Sequence, residues 1–199
     1  GGGVVTDITG FVATTYMRGV NFGFIPTTLL AEVDASVGGK NGVNVGGFKN
    51  MVGTFLQPNF VICDTAKLST LSDREFAAGL AEVIKAAVIA DKELFEMLEQ
   101  TDFSTLQSDT EHLSELLYRA ISVKASIVER DECEAGDRRL LNLGHTLAHA
   151  IEKSSSKFNH GEAVAVGLAM IAEVAANRDM LAVADKERIV ALLERAGFA

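Results

Sequence analysis

His145 and His149 stand four residues apart, a spacing that on a helix puts both imidazoles on one face, within reach of a single metal ion. Isolated HxxxH pairs are also ordinary on helix surfaces, so context decides. Three of the chain's four histidines fall between 145 and 160, and His160 precedes Gly161-Glu162, where a new helix should begin after a polar loop. A hairpin of helices would return His160 toward the other two. The third protein ligand is then a carboxylate or His160. Glu82 is the best carboxylate: it lies in the apolar run Phe76 to Ile89, where a buried unpaired acid is costly, with Lys85 one turn further on the same side. A plain surface ion pair is the alternative reading of those two residues. Three ligands with an open position suit a catalytic divalent ion. Thr146 follows His145 where a metalloprotease of the HExxH type would need its glutamate base, so that chemistry is disfavoured.

A second cluster comprises Asp34, Lys40, Lys49 and Asn50, within Val33-Asp34-Ala35-Ser36-Val37-Gly38-Gly39-Lys40 and Gly46-Gly47-Phe48-Lys49-Asn50. Glycines let backbone approach a ligand and lysines supply point charges for phosphate. The order Gly-Lys-Ser/Thr of a Walker A loop is missing. Gly1-Gly2-Gly3, followed by Val4-Val5-Thr6-Asp7 and a helical Ile8 to Tyr16, reads as the glycine turn of a nucleotide-binding domain cut at that turn; an expression scar is the other reading.

Behind these residues stand two kinds of chain. The first 71 residues mix short apolar runs, such as Phe22 to Ile25 and Phe60 to Cys63, with glycine-rich turns, and read as α/β. From Ser72 the period is helical: Ser72 and Glu75 form a capping-box pattern opening a helix through Ala90, with further helices expected over 111–129, 141–153, 162–180 and 185–196. At 199 residues and 48% hydrophobic, the chain can bury a core. A net charge of -9 gives no reason to expect nucleic acid as a partner. Apolar stretches are interrupted well short of the roughly 20 residues that span a bilayer. With no signal-peptide pattern at position 1 and two distant cysteines, Cys63 and Cys133, the expectation is a cytoplasmic protein away from the membrane.

Taken in order and spacing, Gly1 to Asp7, Pro26 to Leu30, Asp34 to Lys40, Lys49 to Phe55, Ala81 to Lys85, Leu141 to Thr146 and His160-Gly161-Glu162 resemble the 3-dehydroquinate synthase family of sugar phosphate cyclases. That resemblance implies a partial NAD-binding α/β domain over 1–71 and an all-α metal- and substrate-binding domain over 72–199, with further sequence expected at both ends. It implies a metal held by Glu82, His145 and His160, with His149 beside it rather than in it. NAD would meet Gly3, Val4, Val5, Thr6, Asp7, Thr27, Thr28, Lys40, Lys49, Lys67, Leu68, Ser69 and Thr70. Substrate would meet Asp34, Asn50, Lys85, Lys124, Arg138, Asn142 and His149, with Lys124 and Arg138 suited to a carboxylate. Arg18 would reach the phosphate in a partner subunit, which implies a homodimer.

The implied reaction turns 3-deoxy-D-arabino-heptulosonate 7-phosphate into 3-dehydroquinate and phosphate in the shikimate pathway, leading to aromatic amino acids. NAD is regenerated in each turnover, so the enzyme is a lyase. Three alternatives stay open: a cyclase acting on a neutral sugar phosphate, a polyol dehydrogenase releasing NADH, and an inactive metal-binding fragment that serves dimerisation. Ala148, where the family often has Gly, is a small departure.

Overall fold

The computed structural model describes residues 1–46, 48–155 and 157–198, with Phe48 and Lys49 described in backbone only. Helix α2 (Asp73–Ala90) is its centre. Ser72 opens it, its hydroxyl accepting from the Glu75 amide at 3.3 Å, as the sequence pattern predicts. Every residue from Ala78 to Ala87 is buried, so α2 is enclosed on all sides and any polar group on it must find its partners indoors. Four helices enclose it: α3 (Lys92–Gln100), α5 (Thr110–Arg130), α7 (His160–Ala176) and α8 (Val183–Arg195). Leu80, Val83 and Ile84 of α2 share one apolar core with Leu94 and Leu98 of α3, Leu116 and Ile127 of α5, Val164 and Leu168 of α7, and Leu192 of α8.

Several boundaries differ from expectation for identifiable reasons. Helix α3 is not anticipated because one residue, Asp91, both ends α2 and caps its successor, its carboxylate accepting from the Leu94 amide at 2.9 Å. A short α4 (Phe103–Leu106) follows. Helix α6 (His145–Ser154) starts at His145 rather than residue 141, because Gly144 takes φ +77 and the preceding 137–142 form a tight 3-10 turn. Helix α7 begins two residues early, on a full capping box between Asn159 and Glu162, and ends by Ala176 rather than 180. Among the described residues no helix is long and apolar enough to cross a membrane.

The amino-terminal part is less sheet-like than its composition suggests. Helix α1 (Gly3–Thr15) starts at Gly3, so Val4 to Asp7 are its first turns and not a loop before it. The glycine-lysine segment is an antiparallel hairpin, β1 (Lys40–Val45) against β2 (Phe48–Phe55), registered from Lys40 opposite Phe55 to Val45 opposite Phe48. Strand pairing between the two apolar runs is a single parallel bridge, Phe24 with Val61. The whole is mostly helical with a small sheet.

Two close approaches fix the helices that carry the histidines. A Cβ on Gly161 would sit 2.2 Å from the Ala78 carbonyl oxygen, so the first turn of α7 lies directly on α2, one turn before Glu82. A Cβ on Gly167 would sit 2.2 Å from the Gly144 carbonyl oxygen, which seats α7 against the start of α6. Arg74 clamps the same corner, binding both Glu162 carboxylate oxygens at 2.7 Å and the Lys157 carbonyl at 2.6 Å.

Glu32, in the π-helical turn Ala31–Ala35, is fully buried, and neither carboxyl oxygen has a hydrogen-bond partner. Burial pushes its pKa up to about 7, against the pull of the nearby Asp64 backbone amide and with the Asp64 carboxylate adding to the rise.

Two predictions follow from this packing. Gly161→Ala should force α7 off α2 and lower stability by about 1–3 kcal/mol in denaturant unfolding; an unchanged midpoint contradicts the contact. For Glu32 the folded-state pKa lies above the ordinary 4.5, so its contribution is fully present below about pH 4.5 and is lost as pH rises through about 7. Glu32→Gln should therefore match wild type near pH 4.5 and gain on the order of 3 kcal/mol relative to it by pH 8. Identical pH slopes for the two proteins would sink that assignment.

Candidate active site

Glu82 projects from the middle of α2, His145 from the first turn of α6 and His160 from the first turn of α7. The Nε2 atoms of both histidines lie 3.5 Å from the same oxygen, Glu82 Oε1. That oxygen is buried and accepts no hydrogen bond. The three ligand atoms all lie within 4.8 Å of one another. One carboxylate and two imidazoles converging on a shared point, with an orphaned acceptor among them, fit a divalent ion of the zinc or cobalt kind. His149 is not in the group; its ring lies edge-on to His145 with centroids 5.7 Å apart. The residues' own spacing favoured two ligands from one helix, and the geometry instead takes one from each of three.

The charges around this point alternate. Glu82 pairs through its other oxygen with Lys85, both side chains nearly inaccessible at 3% and 4% exposure. Burial alone would raise the Glu82 carboxyl, but the Lys85 charge together with His160 and His145 outweighs it and holds the group below the usual carboxylate range. Asp34 shows the same balance: burial would raise it, and the Lys124 ammonium it contacts keeps it well below normal. Lys124 also donates to the Asp34 carbonyl at 2.6 Å. Burial lowers His145, with Lys85 pushing the same way, so this imidazole is neutral and its lone pair available at neutral pH.

A cavity of about 620 Å³ opens above the triad. Its wall gathers His145, His149 and His160 with the expected substrate group Asp34, Asn50, Lys85, Lys124, Arg138 and Asn142. It is also lined by Gly3, Val4 and Asp7 of α1 and by Lys40 of β1. Helix α1 has no side-chain cap, and its first residues, Gly3 and Val4, are among those that line the cavity.

Other expected residues are not on this wall. Thr6 is buried and bonds back to the Gly3 carbonyl at 2.7 Å, and Val5 is exposed. Thr27 and Thr28 lie under the amino end of α1, the Thr27 amide donating to the Gly1 carbonyl and the Thr28 hydroxyl accepting from the Ala31 amide. Lys67, Leu68, Ser69 and Thr70 form a 3-10 turn against α5, where Leu68 is fully buried core and its carbonyl accepts from Gln107 at 2.8 Å. Arg18 is exposed just after α1. The Lys49 side chain lies outside the described residues.

Arg138, expected to meet a substrate carboxylate, is 2% exposed and already donates to two backbone carbonyls, Gly38 at 2.6 Å and Glu132. It clamps two loops together. Sequence reasoning does not reach Glu134. This residue lines the cavity, pairs with Lys40 and accepts from the Asn142 amide at 2.5 Å. Its φ of +61, rare for a non-glycine residue, aims it inward. In the sequence it sits in the acidic run Asp131-Glu132-Cys133-Glu134, which reads as a solvated loop.

Comparison with known proteins matches this geometry to a family. The 3-dehydroquinate synthase N-terminal family model covers residues 1–78 and the C-terminal one residues 79–199. The 3-dehydroquinate synthase of Desulforamulus reducens is 52% identical over 199 residues, which is 99% of this chain and 55% of that protein. Among solved structures, the 2-epi-5-epi-valiolone synthase ValA from Streptomyces hygroscopicus subsp. jinggangensis, with NAD+ and Zn2+ bound, superposes with a TM-score of 0.93 at 32% identity, covering 100% of this chain and 56% of that one. A 2-deoxy-scyllo-inosose synthase complexed with carbaglucose-6-phosphate, NAD+ and Co2+ superposes with a TM-score of 0.87 at 30% identity, covering 98% and 54%. The chain spans about half the length of the curated relatives it matches. On the strength of both family matches, which together run from residue 1 to residue 199, the chain belongs to the 3-dehydroquinate synthase family.

Proposed function

We propose that this chain works as a 3-dehydroquinate synthase, a lyase that converts 3-deoxy-D-arabino-heptulosonate 7-phosphate to 3-dehydroquinate and phosphate with NAD and a zinc or cobalt ion. The observation that carries the reading is the meeting of Glu82, His145 and His160 beside a cavity that the two histidines and the uncapped end of α1 together line. Residues 1–71 then act as part of the NAD-binding domain and 72–199 as the metal- and substrate-binding domain. When bound, the ion polarises a substrate oxygen and NAD takes and returns two electrons within one turnover.

The chain's own side chains do the rest. The amino end of α1 offers amides and a positive dipole to a phosphate. Lys85, Lys124 and Arg138 bring three cations to the lining of the cavity, where a substrate carrying both carboxylate and phosphate is matched better than a neutral sugar phosphate. Lys85, held on the Glu82 oxygen that faces away from the two histidines, also lines the cavity. Asp34 holds Lys124 in place, and Glu134 does the same for Lys40 and Asn142. His149, beside the triad on the cavity wall, is placed to move a proton. In a cytoplasmic homodimer Arg18 reaches the neighbouring site, and the exposed Val12, Tyr16 and Met17 beside it are apolar surface of the sort a partner covers.

Incubation of the protein with NAD, Zn2+ or Co2+ and the heptulosonate phosphate tests the reading. Phosphate should be released without net NADH, and Glu82→Gln should reduce that release by more than about 100-fold. Net NADH would instead mark a polyol dehydrogenase. Turnover of sedoheptulose 7-phosphate in preference to the carboxylated substrate would move the assignment to a different cyclase.

A further inference from the structure

The two histidines of the triad are held by different partners. His145 Nδ1 donates to the Leu143 carbonyl at 3.3 Å, an uncharged acceptor. His160 Nδ1 lies 3.2 Å from Glu152 Oε1, an anionic one. Glu152 sits on α6 seven residues past His145, so His145, His149 and Glu152 follow an i, i+4, i+7 stripe down one face of that helix. One helix therefore carries a ligand of its own and also the group that orients the ligand arriving from α7. The Glu152 side chain is 19% exposed and that of His160 21%, so the contact is largely shielded from water.

We propose that Glu152 is a positioning residue for the metal site: it fixes the proton of His160 on Nδ1, leaves the Nε2 lone pair facing Glu82 Oε1, and makes His160 the more electron-rich of the two imidazole ligands. The inference rests on the metal site proposed above. A ligating imidazole donates its second nitrogen to an acceptor that locks both tautomer and ring angle, and a carboxylate in that position also raises ligand basicity. Without Glu152 the ring can rotate about its bond to Cβ or carry its proton on Nε2, and either change removes a donor from the ion. Glu152 touches neither substrate nor the reacting atoms, so its effect belongs to metal affinity and ligand field.

Cobalt binding to the metal-free chain provides the test, read by the visible d–d spectrum and by competition with a chromophoric chelator. Glu152→Gln keeps an acceptor but loses the charge and should weaken Co2+ binding about 10-fold; Glu152→Ala should weaken it up to about 100-fold and alter the d–d bands, while Glu152→Asp restores part of the loss. The melting temperature of each metal-free variant should stay at that of the metal-free wild type, with the cobalt-induced rise shrinking in the same order. Variants that bind cobalt as wild type does, with an unchanged spectrum, overturn the role of Glu152 and leave the triad standing. A metal-free variant that has lost its folded baseline assigns Glu152 to the fold instead, which also overturns the proposal. Wild-type protein that takes up no cobalt overturns the triad itself and this inference with it.

Discussion

An ionised carboxylate taken out of water costs several kcal/mol unless opposite charge and hydrogen bonds replace what it loses, and Glu82 is in that position at the centre of α2. Lys85 answers one oxygen; the other has two imidazole nitrogens nearby and no hydrogen bond. Either the site is held at a standing cost, or a cation completes it. The surrounding architecture is consistent with the second: neutral His145, a depressed Glu82 and an enclosing apolar core all favour a divalent ion over a proton at that oxygen.

The scaffold serves this arrangement through contacts that are local and steric. Three helices distant in sequence must bring their ligands together within a few ångströms, and glycine at 161 and 167 removes the side chains that would keep them apart. The Asn159–Glu162 capping box and the Arg74 clamp then set where α7 begins, which places His160 in its first turn. Asp34 and Lys124 repeat the pattern in the cavity lining, linking the π-helical turn to α5 by a shielded ion pair. Such pairing leaves the site rigid and its charges mutually dependent, so removal of one member exposes another.

Much of the site was legible because its chemistry uses residue types that are conspicuous where they fall: an acid inside an apolar run at Glu82, and histidines bunched between 145 and 160. The order of motifs turned those hints into a ligand set, which spacing alone had drawn as two histidines from one helix. What stayed hidden depends on backbone detail. The inward turn of Glu134 needs a positive φ that an acidic loop does not advertise. The β1–β2 hairpin is built of Gly and Asn as much as of Val and so lacks the alternation that marks a strand. Asp91 conceals a helix boundary by serving two helices at once. Glu152 is visible only once α6 and α7 are known to fold back on each other.

The central claim is that one ion binds between Glu82, His145 and His160, and X-ray absorption at the zinc edge of the metal-loaded chain tests it most directly. The account predicts one tightly bound zinc per chain with a nitrogen/oxygen shell at about 2.0–2.2 Å and the outer scattering pattern of two imidazoles. A shell of sulfur, a spectrum without imidazole scattering, or zinc that remains fully hydrated would contradict it.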